Sequence, residues 1–143
     1  QRQRCIRDSK RTGKDVTLVT YAYMVSLCMK AASKLAEEGI DAEVIDLRTI
    51  DPMDKETVLG SVRKTHRLVV VQEPWGDCSV SSEVSALAAE QAFGYLDAPV
   101  VRVTSKDVPY PFSPILEKYV LPKEEDIIDA VHRVMDTEQR KGK

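Results

Sequence analysis

Asparagine is absent from the sequence, and cysteine, histidine and glycine are scarce, with three, two and six residues. Without asparagine the chain has no N-glycosylation sequon and no Asn-Gly hairpin turn. The cysteines (Cys5, Cys28 and Cys78) form no CxxC pair, which argues against a disulfide scaffold or structural zinc site and favours a reducing intracellular compartment. The histidines, His66 and His132, are too few and too far apart for a histidine-based metal cluster.

Long apolar runs and nucleotide-binding motifs are also missing. No stretch approaches the roughly 18 apolar residues of a membrane-spanning helix. The glycines fit neither the GxGxxG nor the Walker spacing, and the chain has no HExxH or GxSxG motif. The 21 basic and 23 acidic residues give a net charge of −2, which excludes a globally basic nucleic-acid-binding protein.

The length and composition are those of one globular domain, with 143 residues, 43% of them hydrophobic and 31% charged. Residues 1–14 carry four arginines and two lysines against one aspartate. Because no aromatics interleave with these charges, we interpret the segment as a basic linker and edge strand rather than an RNA-binding arm. We predict the domain itself over residues 15–135 and a polar tail over 136–143. Since the chain begins without Met and shows no signal peptide, we interpret it as a fragment or a processed product.

Apolar β-branched runs alternate with helical patterns along the predicted domain. Strands are predicted over residues 4–7 (a short edge strand), 16–21, 42–47, 67–72 and 100–104. A turn at 12–14 joins the first two, and Gly13 in this turn is free to adopt a positive φ. Four helices are predicted, the first ending at Gly39, the second beginning at Asp54, the third spanning 80–91 and the last beginning near Pro122. The alternation indicates βαβ units and a mainly parallel sheet with helices on both faces.

In open parallel sheets, ligands bind at the carboxyl ends of the strands, here residues 20–23, 48–54, 73–77 and 104–107. In this rim Arg48 is suited to binding a carboxylate or phosphate, or to an internal salt bridge with Asp46, Asp54 or Glu73. Glu73 is a candidate general base, or else it caps a neighbouring helix or pairs with an arginine. Trp75 is either an interface anchor or packs against its own domain.

A proline-rich loop at 108–114 follows the last predicted strand. Val108, Tyr110, Phe112 and Ile115 place four large apolar side chains in and beside it. We expect this cluster to be an exposed interface through which the domain self-associates as a homodimer. The alternative is that the four side chains fold back onto their own sheet.

The order of motifs along residues 14–135 carries a family resemblance. The matching stretches are Asp15–Tyr21, Ala31–Gly39, Val44–Asp54, Lys64–Glu73, Glu83–Glu90, Tyr95–Pro99, Arg102–Thr104 and Asp107–Pro111. In this order they resemble the C-terminal domain of the transketolase family. The resemblance is most specific to the beta subunit of the thiamine-diphosphate-dependent first component of 2-oxo acid dehydrogenase complexes.

This resemblance implies a three-layer α/β/α fold with a mixed, mainly parallel, five-stranded sheet whose first strand is antiparallel. It implies a part in the oxidative decarboxylation of a 2-oxo acid, with acyl transfer to lipoyl groups of the second component. Val108–Tyr110 favours pyruvate over branched-chain substrates. The same domain of 1-deoxyxylulose-5-phosphate synthase or transketolase is an alternative against which the Tyr95–Pro99 and Pro109–Pro111 motifs argue. A further alternative is a stand-alone binding module that shares this fold.

The resemblance also implies what the chain lacks. Family members hold thiamine diphosphate and Mg²⁺ through a GDG…N motif in a different domain, and a chain without asparagine cannot supply it. The glutamate that activates the cofactor belongs to the preceding domain. We therefore expect no catalytic, cofactor-binding or metal-binding residue here and predict that the isolated chain is inactive. The candidate interface or channel-rim residues are Arg48, Glu73, Trp75, Tyr110 and Phe112.

The implied partners are the alpha subunit, the lipoyl acyltransferase component and a second copy, with no nucleic acid and no membrane. The implied compartment is the mitochondrial matrix in a eukaryote, the cytoplasm in a bacterium, or a plastid. The sequence departs from the family at two places. Family members often have Gly or Ser where this chain has Ala22, and many have a glycine-rich stretch where it has Gly76–Ser82.

Overall fold

The structure, a computed structural model, describes residues 9–136. In chain order, its strands and α-helices are β1 (Ser9–Arg11), β2 (Val16–Thr20), α1 (Met24–Glu37), β3 (Ala42–Asp46), α2 (Lys55–Thr65), β4 (Leu68–Val71), α3 (Val80–Gln91), β5 (Val101–Val103), α4 (Pro114–Val120) and α5 (Glu124–Met135). A short 3₁₀ turn, Phe93–Tyr95, follows α3. The edge strand predicted at residues 4–7 lies outside the described residues.

The five strands form one mixed sheet in the order β1-β3-β2-β4-β5. β1 pairs antiparallel with β3, and the remaining strands are mutually parallel. All residues of β2, β3 and β4 are buried, because both faces of the central sheet are covered by helices. This topology confirms the expected mixed sheet with an antiparallel first strand.

The helices form a layer on each face of the sheet. One apolar core packs α1 and α5 against the sheet and includes Leu35 and Ile127. The other packs α2 and α3 against the opposite face and includes Val62 and Val84. The three-layer α/β/α architecture expected from the sequence is therefore confirmed.

Several local predictions are confirmed as well. The Asp54 carboxylate accepts hydrogen bonds from the backbone N–H and hydroxyl of Thr57 at 3.1 and 2.6 Å, which caps α2. Gly39 follows α1 with a φ of 86°, a conformation that favours glycine. The last helix, α5, begins two residues after Pro122.

Two features differ from the sequence-based expectation. Among the described residues the glycine with a positive φ is Gly39, so the prediction for Gly13 is wrong. Gly13 is instead required by close approach, because a Cβ there would lie 2.3 Å from the backbone nitrogen of Glu43. The second difference is α4, which occupies the end of the predicted proline-rich loop and begins at Pro114, a favoured residue for a first helical turn.

A buried polar network joins α2 to β2 and β3 near the amino-terminal ends of these strands. The Thr17 hydroxyl hydrogen-bonds those of Ser61 and Thr65 at 2.6 and 2.7 Å. Ser61 also donates to the buried Glu43 carboxylate at 2.7 Å, and Lys64 pairs with the same carboxylate. These groups lie away from the carboxyl-end rim and serve the fold. In the described part of the chain, every helix is too short or too polar to cross a membrane.

Candidate functional site

The carboxyl ends of β2, β3, β4 and β5 meet at one edge of the sheet because these strands are parallel. β2 continues into α1 on one face, whereas β4 continues into α3 on the other. The strand order therefore reverses between β2 and β4. Such a reversal opens a crevice at the carboxyl ends, where open α/β sheets bind ligands.

Gln72, directly after β4, organises the loop at this crevice. Its fully buried side chain donates to the carbonyl oxygens of Trp75 and Pro74 at 2.7 and 3.3 Å. Its Oε1 accepts from the backbone N–H of Ser81 at 2.8 Å, which satisfies a donor in the first turn of α3. One side chain thus ties the loop to the helix that follows it.

A second set of hydrogen bonds converges on the carbonyl oxygen of Gly76 in the same loop. The hydroxyls of Ser79 and Ser82 each donate to it at 2.9 Å, and Arg102 Nη1 donates to it at 2.7 Å. Arg102 also donates to the Ser82 hydroxyl at 2.8 Å. The loop is therefore braced from both α3 and β5.

The braced loop presents Trp75 beside Tyr110. Their ring centroids are 6.3 Å apart, and the Tyr110 hydroxyl donates to the carbonyl oxygen of Glu73 at 3.0 Å. Trp75 and Tyr110 remain 44% and 41% exposed. Trp75 thus packs partly on its own domain while keeping much of its surface available to a partner.

Glu73 is half-buried, and its negative charge acts on Tyr21. Burial is the main cause of the raised pKa of Tyr21, and the Glu73 carboxylate raises it further. No ion pair joins Glu73 to an arginine within residues 9–136. Among the described residues, Glu73 therefore has no arginine partner.

Arg48 lies on the other side of the rim, away from the Trp75 loop. Its Nε pairs with Asp46 at 2.8 Å, and Lys10 approaches the same carboxylate oxygen at 3.5 Å. Of the two roles expected for Arg48, binding a carboxylate or phosphate ligand and forming an internal salt bridge, the structure confirms the salt bridge. A cleft of about 720 Å³ adjoins the pair and is lined by Tyr21, Tyr23 and Ile50 among others.

An exposed apolar surface, which we call the α4 surface, extends outward beyond Tyr110. Phe112 is fully exposed and Ile115 is 80% exposed, so these side chains do not fold back onto the sheet. Leu116 and Tyr119 on α4 are exposed as well and were not anticipated. The sequence feature that could have predicted this helix is Pro114, which begins a short run of apolar and charged residues.

Candidate site residues predicted from the sequence thus divide into three places. Glu73 and Trp75 lie in the braced loop with Tyr110 packed against it, Arg48 lies at the cleft lined by Tyr21 and Tyr23, and Phe112 belongs to the α4 surface. The described residues contain no cluster of three His, Cys, Asp or Glu side chains suited to a metal. His66 caps α2 and hydrogen-bonds the Tyr95 carbonyl oxygen through Nδ1 at 2.7 Å, and His132 pairs with Glu38.

Comparison with known proteins places the chain in a protein family. The family described as "Transketolase, C-terminal domain" matches residues 7–127. The chain belongs to the transketolase C-terminal domain family.

Individual relatives of this transketolase C-terminal domain agree with that placement. The chain is 52% identical over 124 residues to the mitochondrial pyruvate dehydrogenase E1 component subunit beta-1 of Arabidopsis thaliana, covering 87% of this chain and 34% of that protein. It is 48% identical over 124 residues to the pyruvate dehydrogenase E1 component subunit beta of Rickettsia felis, covering 87% of this chain and 38% of that protein. The beta subunit of acetoin:2,6-dichlorophenolindophenol oxidoreductase from Cupriavidus necator is 47% identical over 125 residues, with coverages of 87% and 37%.

A solved structure supports the fold independently. It is described as a split-gene transketolase, an inactive beta4 tetramer, and matches with a TM-score of 0.77 and 30% sequence identity. The match covers 89% of this chain and 40% of that one. The chain therefore spans about a third to two-fifths of the length of the relatives it matches.

Proposed function

We propose that the chain is the C-terminal assembly domain of the beta subunit of a thiamine-diphosphate-dependent 2-oxo acid dehydrogenase, with pyruvate as the favoured substrate. The complete enzyme would decarboxylate the oxo acid oxidatively and transfer the acyl group to lipoyl groups of the second component. The observation that carries the proposal is the 52% identity to a pyruvate dehydrogenase beta subunit over 87% of the chain.

The cofactor of the complete enzyme does not fit the residues present here. The chain has no asparagine for the implied diphosphate and Mg²⁺ motif, and residues 9–136 offer no cluster of metal ligands. We therefore assign no catalytic step on thiamine diphosphate to this domain. The domain's contribution is to hold subunits together and to form one wall of the route to the active site.

The distribution of exposed side chains supports an assembly role. The braced loop and the α4 surface place Trp75, Tyr110, Phe112 and Ile115 on one side of the domain. Large exposed apolar patches mark interfaces, and a rigid loop loses little conformational freedom when a partner binds. We assign this side to contacts with the alpha subunit and with a second copy of the domain.

Substrate oxidation by the assembled enzyme tests the proposal. The subunit containing this chain is purified with its alpha subunit, and reduction of an artificial electron acceptor is measured with thiamine diphosphate and Mg²⁺. We expect turnover of pyruvate above that of branched-chain 2-oxo acids. Preferential oxidation of acetoin would reassign the substrate, following the relative from Cupriavidus necator. Failure to form any complex with the alpha subunit would refute the assembly role.

Cofactor binding by the 143-residue chain alone is a second test. We expect calorimetric titration with thiamine diphosphate and Mg²⁺ to give no heat of binding. Micromolar binding would show that the domain supplies a cofactor site and would overturn the proposal that it serves only in assembly.

A further inference from the structure

Within residues 9–136, strand β5 forms one edge of the sheet and has no strand on its outer side. In the parallel pair with β4, Val103 accepts from the Gln72 N–H at 3.0 Å, and Val69 and Val71 are opposite Val101 and Val103. The N–H and C=O groups of one residue in a parallel strand point to the same side. Those of Arg102, and of Thr104 directly after the strand, therefore point away from β4.

These outward groups find no backbone partner within residues 9–136. Main-chain donors and acceptors at a sheet edge are a template for another extended segment. The opposite edge, β1, is protected in two ways: its register with β3 is irregular, and it carries Lys10 and Arg11, both in salt bridges. β5 has a regular register with its neighbour and no such bulge.

A cleft of about 500 Å³ lies along this open edge. Its floor is the edge of β5 from Val101 to Thr104, and its far wall is α5 with the Tyr119–Lys123 connection. Its volume falls within the roughly 300–1,000 Å³ range of protein ligand clefts. The outer edge of β5 is therefore accessible to a segment that lies along it, beside α5 and residues 119–123.

The charges around the cleft indicate what kind of segment fits. Four cationic side chains and two carboxylates line it: Arg102, Lys106, Lys123, Arg133, Asp126 and Asp129. Two of these groups are already used: the Asp126 carboxylate accepts from the backbone N–H of Lys123 at 2.7 Å, and Arg102 donates to the Gly76 carbonyl oxygen and the Ser82 hydroxyl. The Lys106 ammonium lies 3.3 Å from the centre of the Tyr119 ring and remains exposed. The cleft therefore favours an anionic occupant.

The ends of this chain have the wrong charge for the cleft. Residues 1–8 contain three arginines and one aspartate, and residues 137–143 contain one arginine and two lysines against one glutamate. Residues 1–8 also precede β1, at the opposite edge of the sheet. A second copy pairing edge to edge would bring two cationic clefts together, which is unfavourable.

We propose that the open edge of β5 is a docking site for an extended acidic segment of another protein, which adds as a sixth strand beside Arg102 and Thr104. Its main chain pairs with the outward groups of these two residues, and its carboxylates face Lys106 and Lys123. Addition of a strand to an exposed sheet edge is a general mode of peptide recognition. This site is independent of the proposed enzymatic function.

The probe is a fluorescein-labelled hexapeptide of alternating glutamate and threonine, titrated into the 143-residue chain by fluorescence anisotropy. We expect saturable binding, and no binding of the matching lysine–threonine hexapeptide. With bound peptide, hydrogen exchange at the amides of Arg102 and Thr104 slows at least tenfold. The amides of Val101 and Val103, already paired with β4, serve as internal references and stay unchanged. A peptide N-methylated at alternate residues, which removes the main-chain donors, binds at least tenfold more weakly.

The charge requirement is tested with Lys106→Glu combined with Lys123→Glu, which we expect to weaken binding at least tenfold. The matched control is Lys30→Glu with Lys55→Glu, two exposed lysines elsewhere that give the same change in net charge. Equal binding of the acidic and basic peptides, or binding without protection of the Arg102 and Thr104 amides, overturns the proposal. Absence of binding also overturns it. Protection of these amides that rises with protein concentration in the absence of peptide assigns the edge to a second copy instead.

Discussion

The side chain of Gln72 donates a 2.7 Å hydrogen bond to the carbonyl oxygen of Trp75, three residues along the chain. The same side chain accepts from Ser81 in α3 and is fully buried. Gln72 thus sets the path of the loop that carries the exposed indole of Trp75. The rigidity of the apolar surface formed with Tyr110 follows from a residue that itself contacts no solvent.

Replacing Gln72 by leucine removes these hydrogen bonds while keeping a side chain of similar volume. The Trp75 carbonyl and the Ser81 N–H then lose their partners, and we expect a loss of about 1–3 kcal/mol in the free energy of unfolding. Urea denaturation measures the loss as a lower midpoint at unchanged slope. Gln91→Leu, at an exposed position on α3, is the control and is expected to change stability by less than about 0.5 kcal/mol. Equal effects of the two variants would show that the loop does not depend on Gln72.

The sequence predicted the four parallel strands and the salt bridge of Arg48 because their signals are local. Apolar β-branched runs identify strands buried on both faces, and Arg48 lies only two residues from the Asp46 with which it pairs. The Asp54 cap follows from a residue type and its place before a helix.

Other features depend on contacts that no local pattern reveals. Helix α4 has a single buried residue, Val120, and so lacks the buried stripe by which amphipathic helices are recognised. The hydrogen bonds of Gln72 reach Pro74, Trp75 and Ser81, two, three and nine residues away, but no sequence pattern marks a glutamine as the residue that organises a loop. The requirement for Gly13 arises from the approach of a distant strand residue, Glu43. The open edge of β5 likewise appears only once the strand order is known.

Two glycines on the sequence should respond to alanine with opposite signs. Gly13→Ala places a Cβ 2.3 Å from the Glu43 nitrogen, so the backbone must shift and we expect a loss of about 1–3 kcal/mol. Gly60→Ala in α2 meets nothing within 4 Å, and we expect a gain of about 0.5–1 kcal/mol from helix propensity. Thermal and urea unfolding of the two variants give the comparison. A stabilising Gly13→Ala would contradict the close approach seen here.

Ala22 has a φ of 52°, which strains a residue with a Cβ. We expect Ala22→Gly to raise the free energy of unfolding by about 0.5–1 kcal/mol, because relief of strain exceeds the entropy that glycine adds to the unfolded chain. Ala86→Gly, at an exposed position within α3, is the matched control and should lose about 1 kcal/mol. Loss of stability in both variants would contradict the strain at residue 22.

Burial raises the pKa of the Cys28 thiol from its ordinary value near 9 to about 12. Above pH 9 the unfolded chain releases this proton and the folded chain retains it, so stability falls as the pH rises towards 12. We expect Cys28→Ala to reduce the downward slope of stability with pH in this range by up to about 1.4 kcal/mol per pH unit. Urea unfolding at several alkaline pH values measures the slope. Cys78→Ala, at an exposed thiol, is the control and should leave the slope near that of the unmodified chain.

The α4 surface should hold two copies of the domain together. Phe112 is fully exposed and Ile115 is 80% exposed, so neither contributes much to the folded monomer, whereas both would be covered in a dimer. We expect Phe112→Ser combined with Ile115→Ser to convert the dimer to a monomer in sedimentation at tens of micromolar. The midpoint of thermal unfolding should change little when both proteins are compared at a concentration low enough for each to be monomeric. Phe93→Ser is the matched control, because Phe93 is 75% exposed but follows α3 at the opposite end of the domain. The control should remain a dimer, since its aromatic surface lies outside the proposed contact. An unmodified chain that sediments as a monomer at these concentrations, or a control that dissociates as fully as the double variant, would refute this interface.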